Sequence, residues 1–203
     1  MLKQEDFYAT LRGVLNDRSP KLIQDKELSY THAAVMIPLF SENGEYKILF
    51  TKRTNKVEHH KGQISFPGGA VDKEDGSLKE TVLREVYEEI GLPGEDVEII
   101  GQIDDTTTLV SRFIVHPFVG RIPHPYDFRI SSKEVKRLIR VPLEIFFPEN
   151  SENKKTTFEF EGVTYQTPAY IYDGDTIWGA TAKIMANFVD IIRENLSLPG
   201  GGQ

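Results

Sequence analysis

Residues 66–92 read FPGGAVDKEDGSLKETVLREVYEEIGL, a glycine pair behind a proline followed by an acidic loop and a periodic segment that carries Glu85, Glu88 and Glu89. Ser77 stands three before Glu80, the spacing of a capping box in which the serine oxygen accepts an amide and the glutamate reaches back. A helix is expected to start there. Gly91 followed by Pro93 supplies the stop, since glycine accepts the left-handed conformation and proline cannot continue the turn. At roughly 100° per residue, Leu83, Val86, Tyr87 and Ile90 share one arc and the glutamates the opposite one. The apolar arc is expected to dock on a sheet and leave the carboxylates facing outward. Glu85 then neighbours both Glu88 and Glu89, two like-charge pairs costing about 0.2 to 0.5 kcal/mol each unless something neutralises them. Arg84 offsets part of this by pairing with Glu88, and divalent cations would offset more.

For EVYEE alone, the solvated face of an ordinary amphipathic helix is a full alternative. What precedes the helix bears on the choice. Gly68 and Gly69 allow close backbone approach, and the loop that follows carries Asp72, Glu74 and Asp75. Carboxylates, loop carbonyls and water suit Mg²⁺ or Mn²⁺ and not zinc. A tight turn is the alternative for the glycine pair by itself.

Working outward, AAVMIPLF and YKILFTKR flank Asn43-Gly44 and predict a β-hairpin. QISF, VEIIGQID and RFIVHPFVGRI read as further strands. SKEVKRLIRVPLEIFF is ambiguous, a strand through Leu138 and Ile139 with a short helix from Pro142. TTFEFEGVTYQTPAYIYDGDTIWG reads as a meander, broken at Glu161-Gly162 and Asp173-Gly174. Phe7, Leu11 and Leu15 mark a first helix, and Ala182, Met185, Val189 and Ile192 a last one. Together these predict an α+β sandwich. Trp178, Phe146 and Phe147 are expected in the core.

The chain of 203 residues suits one sizeable domain. We expect a helical extension over 1–28, the domain over 29–195 and a flexible tail over 196–203. A formal charge of −7 argues against nucleic-acid binding, which needs a basic surface. With no cysteine, thiolate metal sites and cysteine nucleophiles are excluded. His59-His60 lacks a third ligand at zinc spacing. No apolar run is long enough to span a bilayer, and a cytoplasmic location without membrane association is expected.

Residues 69–92 resemble the signature box of the Nudix hydrolases, with REVYEEIGL matching the Arg-Glu-apolar-any-Glu-Glu-any-Gly-apolar core at every fixed position. The resemblance implies a Nudix-like α/β/α sandwich with a mixed β-sheet, Mg²⁺ or Mn²⁺ as cofactor, and cleavage of a diphosphate linked to another group. Carried over by residue, it makes Gly69, Glu85, Glu88 and Glu89 metal ligands, Glu85 and Glu89 the principal ones. Glu88 would ligate or help to activate water, Arg84 would orient the glutamates, and the catalytic set is then Arg84, Glu88 and Glu89. Gly69 lies one position further from Arg84 than is usual, and Gly76 occupies the place of the customary loop glutamate. Asp75 is the candidate replacement, with one residue inserted behind it.

Residues 49–69, LFTKRTNKVEHHKGQISFPGG, are similar to the segment that marks coenzyme A pyrophosphatases within the family. Leu49, Thr51, Arg53, Gly62 and FPGG match, whereas Phe50, Thr54 and Glu58 replace the group's usual Leu, Ser and Arg. The implied substrate is a small-molecule nucleotide, coenzyme A or its thioesters. Alternatives are another nucleoside diphosphate derivative, such as ADP-ribose or NADH, and a non-catalytic nucleotide-binding module. Gly68, Arg53, Lys56, His60, Lys61 and Gln63 are candidate substrate contacts or plain strand and loop decoration. Glu134 is a loop carboxylate, a base or a solvated residue. Family members are often homodimers, and the chain itself carries no interface signal.

Overall fold

The computed structural model describes residues 4–54, 62–108, 110–148, 154–160 and 162–196. Helix α1 (Gln4–Asp17) is followed by the hairpin of β1 (Thr31–Glu42) and β2 (Glu45–Arg53). Asn43 and Gly44 both take positive φ, 54° and 83°, which matches the turn to the twist of the strands. β3 (Ile64–Ser65) and β4 (Gly68–Ala70) lead into α2 (Leu78–Ile90), and β5 (Glu98–Gln102), β6 (Thr106–Thr107), β7 (Phe113–Arg121) and β8 (Val135–Pro142) complete one sheet. Its central order is β3-β2-β1-β7-β5, with β4 on β1, β6 on β7 and β8 on β2. β1 and β7 run parallel and their other pairings are antiparallel, so the sheet is mixed.

Strand alternation sends neighbouring side chains of β1 to opposite faces. Ala34, Met36 and Phe40 meet Val82, Val86 and Ile90 of α2 on one face. Ile37 and Leu39 join Phe7 and Leu11 of α1 and Met185, Phe188 and Ile192 of α3 (Gly179–Asn195) on the other. Helices therefore cover both faces, and the chain is the α/β/α sandwich expected. The meander appears as a separate three-stranded antiparallel sheet of β9 (Lys154–Phe160), β10 (Val163–Tyr172) and β11 (Asp175–Trp178). The ambiguous segment is a strand, β8, continued by a single 3₁₀ turn over Leu143–Phe146.

Phe146 and Phe147 lie in the core as expected, but Trp178 does not: it ends β11 with 38% of its surface exposed. β11 alternates, burying Asp175 and Ile177 and leaving Thr176 and Trp178 on the open side. Among the described residues no helix is long and apolar enough to cross a membrane. Of the tail expected over 196–203, Leu196 is buried in the core, and residues 197–203 lie outside the described part of the chain.

Candidate active site

The site is built on α2 and the strand before it. Ser77 caps the helix by accepting the Glu80 N–H at 3.2 Å. Glu80 reaches back one residue further than the box pattern predicts, to the Gly76 N–H at 2.9 Å. At the other end Gly91, with φ 68°, returns its N–H to the Tyr87 carbonyl. These two caps fix the length of the helix as read from the sequence.

Its rotational phase is not as read. The buried residues are Thr81, Val82, Val86, Glu89 and Ile90, whereas Tyr87 is 60% exposed. The glutamates do not all face outward: the Glu88 side chain is 51% exposed, that of Glu85 15% and that of Glu89 only 2%. The physical reason is β4, which pairs with β1 beside α2 and receives the two inner carboxylates. A Cβ added to Gly69 would stand 2.5 Å from the Glu85 carboxylate, and one added to Gly68 only 2.4 Å from the Ala34 carbonyl oxygen. Gly68, at φ 147°, also has a backbone conformation that side chains disfavour.

Arg84 ties the parts together. Its Nε and Nη2 donate to the two oxygens of Asp75, each at 2.9 Å. Nη1 donates to Glu85 at 2.8 Å and to Glu88 at 3.3 Å, and Nη2 also reaches the Ala70 carbonyl at 3.2 Å. These hydrogen bonds hold the Asp75 carboxyl well below the usual carboxylate range and raise the guanidinium further above its own. Asp75 thus grips the arginine, in a bidentate pairing that fixes its plane.

Burial pushes Glu89 up to about 8, with the charges of Glu134 and Glu85 adding to the shift and Arg53 and the Gly68 amide opposing it. Arg53 Nη1 donates to Glu89 Oε1 at 3.3 Å, while Glu89 Oε2 is buried with no hydrogen-bond partner. Burial raises Glu85 too, partly countered by Arg84. A loop completes the wall: Ser131 N–H donates to the Glu89 carbonyl, and Thr54 donates through its N–H to the Glu134 carbonyl and through its hydroxyl to the Lys133 carbonyl. Glu134 is therefore no solitary loop carboxylate; its charge bears on both inner glutamates. Only the folded chain brings it there, because the segment shares no periodicity or motif with the helix.

The donors suit a hard cation. They are carboxylate oxygens beside a backbone that glycine leaves open, one oxygen lacks any hydrogen donor, and burial pushes two carboxyls toward their protonated forms. Among the described residues no three carboxylate or imidazole groups form a closed cage. Mg²⁺ keeps several waters and needs only one or two direct carboxylates, so an open arrangement is compatible with it.

Of the candidate contacts, Arg53 and Gly68 adjoin Glu89, and the Gln63 carbonyl accepts the Arg53 N–H at 2.9 Å. His60 and Lys61, like Lys56, Glu58 and His59, lie outside the described residues. Sequence reasoning missed a groove of about 610 Å³ beside Glu88, lined by Tyr87, Gly91, Pro93, Tyr126, Asp127 and Arg129. An aromatic at an expected core position was its one signal.

Residues 30–160 match the family model described as NUDIX domain. The chain is 36% identical over 154 residues to the "Uncharacterized Nudix hydrolase NudL" of Yersinia enterocolitica, covering 76% of this chain and 77% of that one. It is also 36% identical over 166 residues to the protein of the same name from an Enterobacter species, covering 82% and 84%. In fold it resembles the crystal structure of a MutT/nudix family protein from Enterococcus faecalis, with a TM-score of 0.57 at 15% identity over 95% of this chain and 76% of the other.

Proposed function

The chain belongs to the NUDIX domain family of pyrophosphohydrolases, and on that premise we propose that it hydrolyses the diphosphate of coenzyme A or its thioesters. The products would be 4′-phosphopantetheine, or its acyl derivative, and adenosine 3′,5′-bisphosphate. The observation that carries the metal-dependent part is Glu89, a buried carboxylate with one oxygen unpartnered, next to Glu85 and the open Gly69 backbone.

Glu85 and Glu89, with the Gly69 backbone, would hold Mg²⁺ or Mn²⁺, which when bound supplies charge neutralisation on the diphosphate and a more acidic water. Arg84 keeps Glu85 and Glu88 at fixed positions through its anchor on Asp75. Glu88, the exposed member of the set, would help to activate the attacking water by accepting its proton. Arg53 can turn from Glu89 to a phosphate oxygen once a cation satisfies that carboxylate. Phosphoryl chemistry asks the protein chiefly for positioning and charge, and this arrangement offers both.

Coenzyme A as the substrate is supported by the likeness of residues 49–69 to the coenzyme A pyrophosphatase segment. The groove beside Glu88 also fits: its tyrosines and proline suit an uncharged amide-bearing arm, and its two carboxylates, Glu88 and Asp127, outnumber its one cation, Arg129. Glu58, an acid where that group carries arginine, keeps ADP-ribose and NADH as competitors.

The test is incubation with Mg²⁺ and coenzyme A, acetyl coenzyme A, ADP-ribose or NADH, separating products by chromatography. Release of adenosine 3′,5′-bisphosphate from the first two is expected. Turnover of only the other two would transfer the reading to them, and binding without any turnover would mark a regulatory module.

A further inference from the structure

Away from the glutamates, three polar side chains form a chain within the sheet. His116 Nδ1 lies 2.8 Å from Asp105 Oδ1, and His116 Nε2 lies 2.9 Å from His32 Nδ1. The Asp105 carboxylate has no exposed surface and the His116 side chain 7%. The two imidazole planes are within 6° of each other with centroids 5.2 Å apart, a separation that one N···N contact and two ring radii span. The rings therefore meet edge to edge in a common plane, the geometry of a good hydrogen bond.

With His116 neutral, the polarity of this chain follows. An ionised carboxylate only accepts, so His116 carries its proton on Nδ1 and presents the lone pair of Nε2; His32 must then donate from Nδ1. The other Asp105 oxygen accepts the Ile23 N–H at 2.9 Å, which leaves the carboxylate no freedom to turn.

The place of the chain in the register gives it a task. His116 of β7 pairs with Ala34 of β1, and Ala34 pairs with Gly69 of β4, so one row crosses the sheet from the buried imidazole to the glycine facing Glu85. His32 lies on the same face two residues before Ala34, making the His32–His116 bond a diagonal brace between parallel strands. Its carbonyl accepts the Val71 N–H at 2.9 Å, the last rung holding β4. β4 spans only Gly68–Ala70 and, among the described residues, pairs with β1 alone. A one-residue slip of β1 would turn every side chain of that row to the other face.

We propose that Asp105, His116 and His32 are positioning residues, a hydrogen-bond relay of fixed polarity that locks β1 on β7 and thereby holds Gly69 at its distance from Glu85. The inference rests on the reading of Gly69 and Glu85 as a cation site.

Two measurements on the full chain test it. Nitrogen-15 NMR should find His32 as the Nδ1–H tautomer in the wild type. Asp105→Asn, whose carbonyl keeps the Ile23 bond while its amide donates to His116, should reverse both rings and give His32 Nε2–H. In Mn²⁺ titrations by calorimetry, Asp105→Asn and His116→Leu should weaken binding about tenfold. His116→Gln, which retains one donor and one acceptor, should recover most of the loss. A wild-type protein that binds no Mn²⁺ would bring down the cation site itself. If the wild type binds it, the relay is overturned by unchanged affinity in Asp105→Asn and His116→Leu, by a Gln variant no better than Leu, or by His32 in the Nε2–H form from the outset.

Discussion

Glu89 is held in a place that water would contest. Its side chain is 2% exposed, one oxygen has no donor, and the group is pushed up to about 8, chiefly by burial. A cation bound there would therefore displace a proton. At a pH below about 8, Mn²⁺ affinity should rise roughly tenfold per pH unit and then level off. Calorimetry in buffers of different ionisation enthalpy should find close to one proton released per ion near neutrality. Stability without metal should move the opposite way. The unfolded carboxyl titrates near 4.3 and the folded one higher, so the folded state holds the extra proton between these values. Its stabilising contribution is complete below about 4.3 and is lost as pH rises through about 8. Glu89→Gln mimics the protonated group, so urea melts should show it matching the wild type near pH 4 and exceeding it by a few kcal/mol above pH 8, with hydrolysis abolished. A constant difference between the two proteins across that range would show that Glu89 is not held protonated by burial. The sequence identified this residue by its place in REVYEE, but nothing local to it indicates burial, which depends on β4 and the 131–134 loop.

The helix and its preceding loop behave as one element. Their limits were legible because Ser77, Glu80, Gly91 and Pro93 act through neighbours only a few residues away. Its phase was not, since a helical wheel orders side chains by polarity and takes no account of a strand that can satisfy a carboxylate from the sheet side. Hence Tyr87 lies outside and Glu89 inside, the reverse of the apolar-arc expectation. Gly69→Ala would drive a methyl to 2.5 Å from the Glu85 carboxylate. It should lower turnover by about a hundredfold or more while leaving the circular dichroism spectrum unchanged; normal turnover would mean that the close approach of β4 to α2 has no catalytic role. Asp75→Asn tests the other side of the loop. It keeps the shape but removes the charge facing the Arg84 fork, and should cost about ten- to a hundredfold in turnover or metal affinity, as loss of an outer positioning partner does. If Asp75 instead contributed only loop shape, the Asn protein would match the wild type. The one-residue displacement in the loop was visible in the sequence, whereas the grip on Arg84 depends on how the chain turns between Asp75 and Ser77.

Across the whole molecule, alternation and helical spacing made the longer strands, the meander and the terminal helices legible, because each pattern reports which faces are buried; β4 and β6, three and two residues long, are too short to carry such a pattern. The parallel pairing of β1 with β7 was not legible: it joins distant segments and leaves no local mark. α1 was expected as an extension outside the domain, since its period fits an appendage as well as a layer. In the folded chain Phe7, Tyr8, Leu11 and Leu15 are buried in the main core, and Phe7 packs against Tyr46 of β2 with ring centroids 4.1 Å apart and planes tilted by 32°. Gly101 of β5 lies so close beneath the helix that a Cβ there would stand 2.6 Å from Leu15. α1 and α3 thus cover one sheet face while α2 holds the carboxylates on the other, and the site depends on a sheet braced from both sides. Phe7→Ala should destabilise the protein by about 3 to 5 kcal/mol, the range for a buried aromatic leaving a cavity. Arg12→Ala breaks an ion pair with Glu98 whose side chains are 42% and 43% exposed, and should cost under about 1 kcal/mol. Chemical denaturation of both variants separates the alternatives. If Phe7→Ala were no worse than Arg12→Ala, α1 would be a loosely attached segment and the sheet would owe its rigidity to α3 alone.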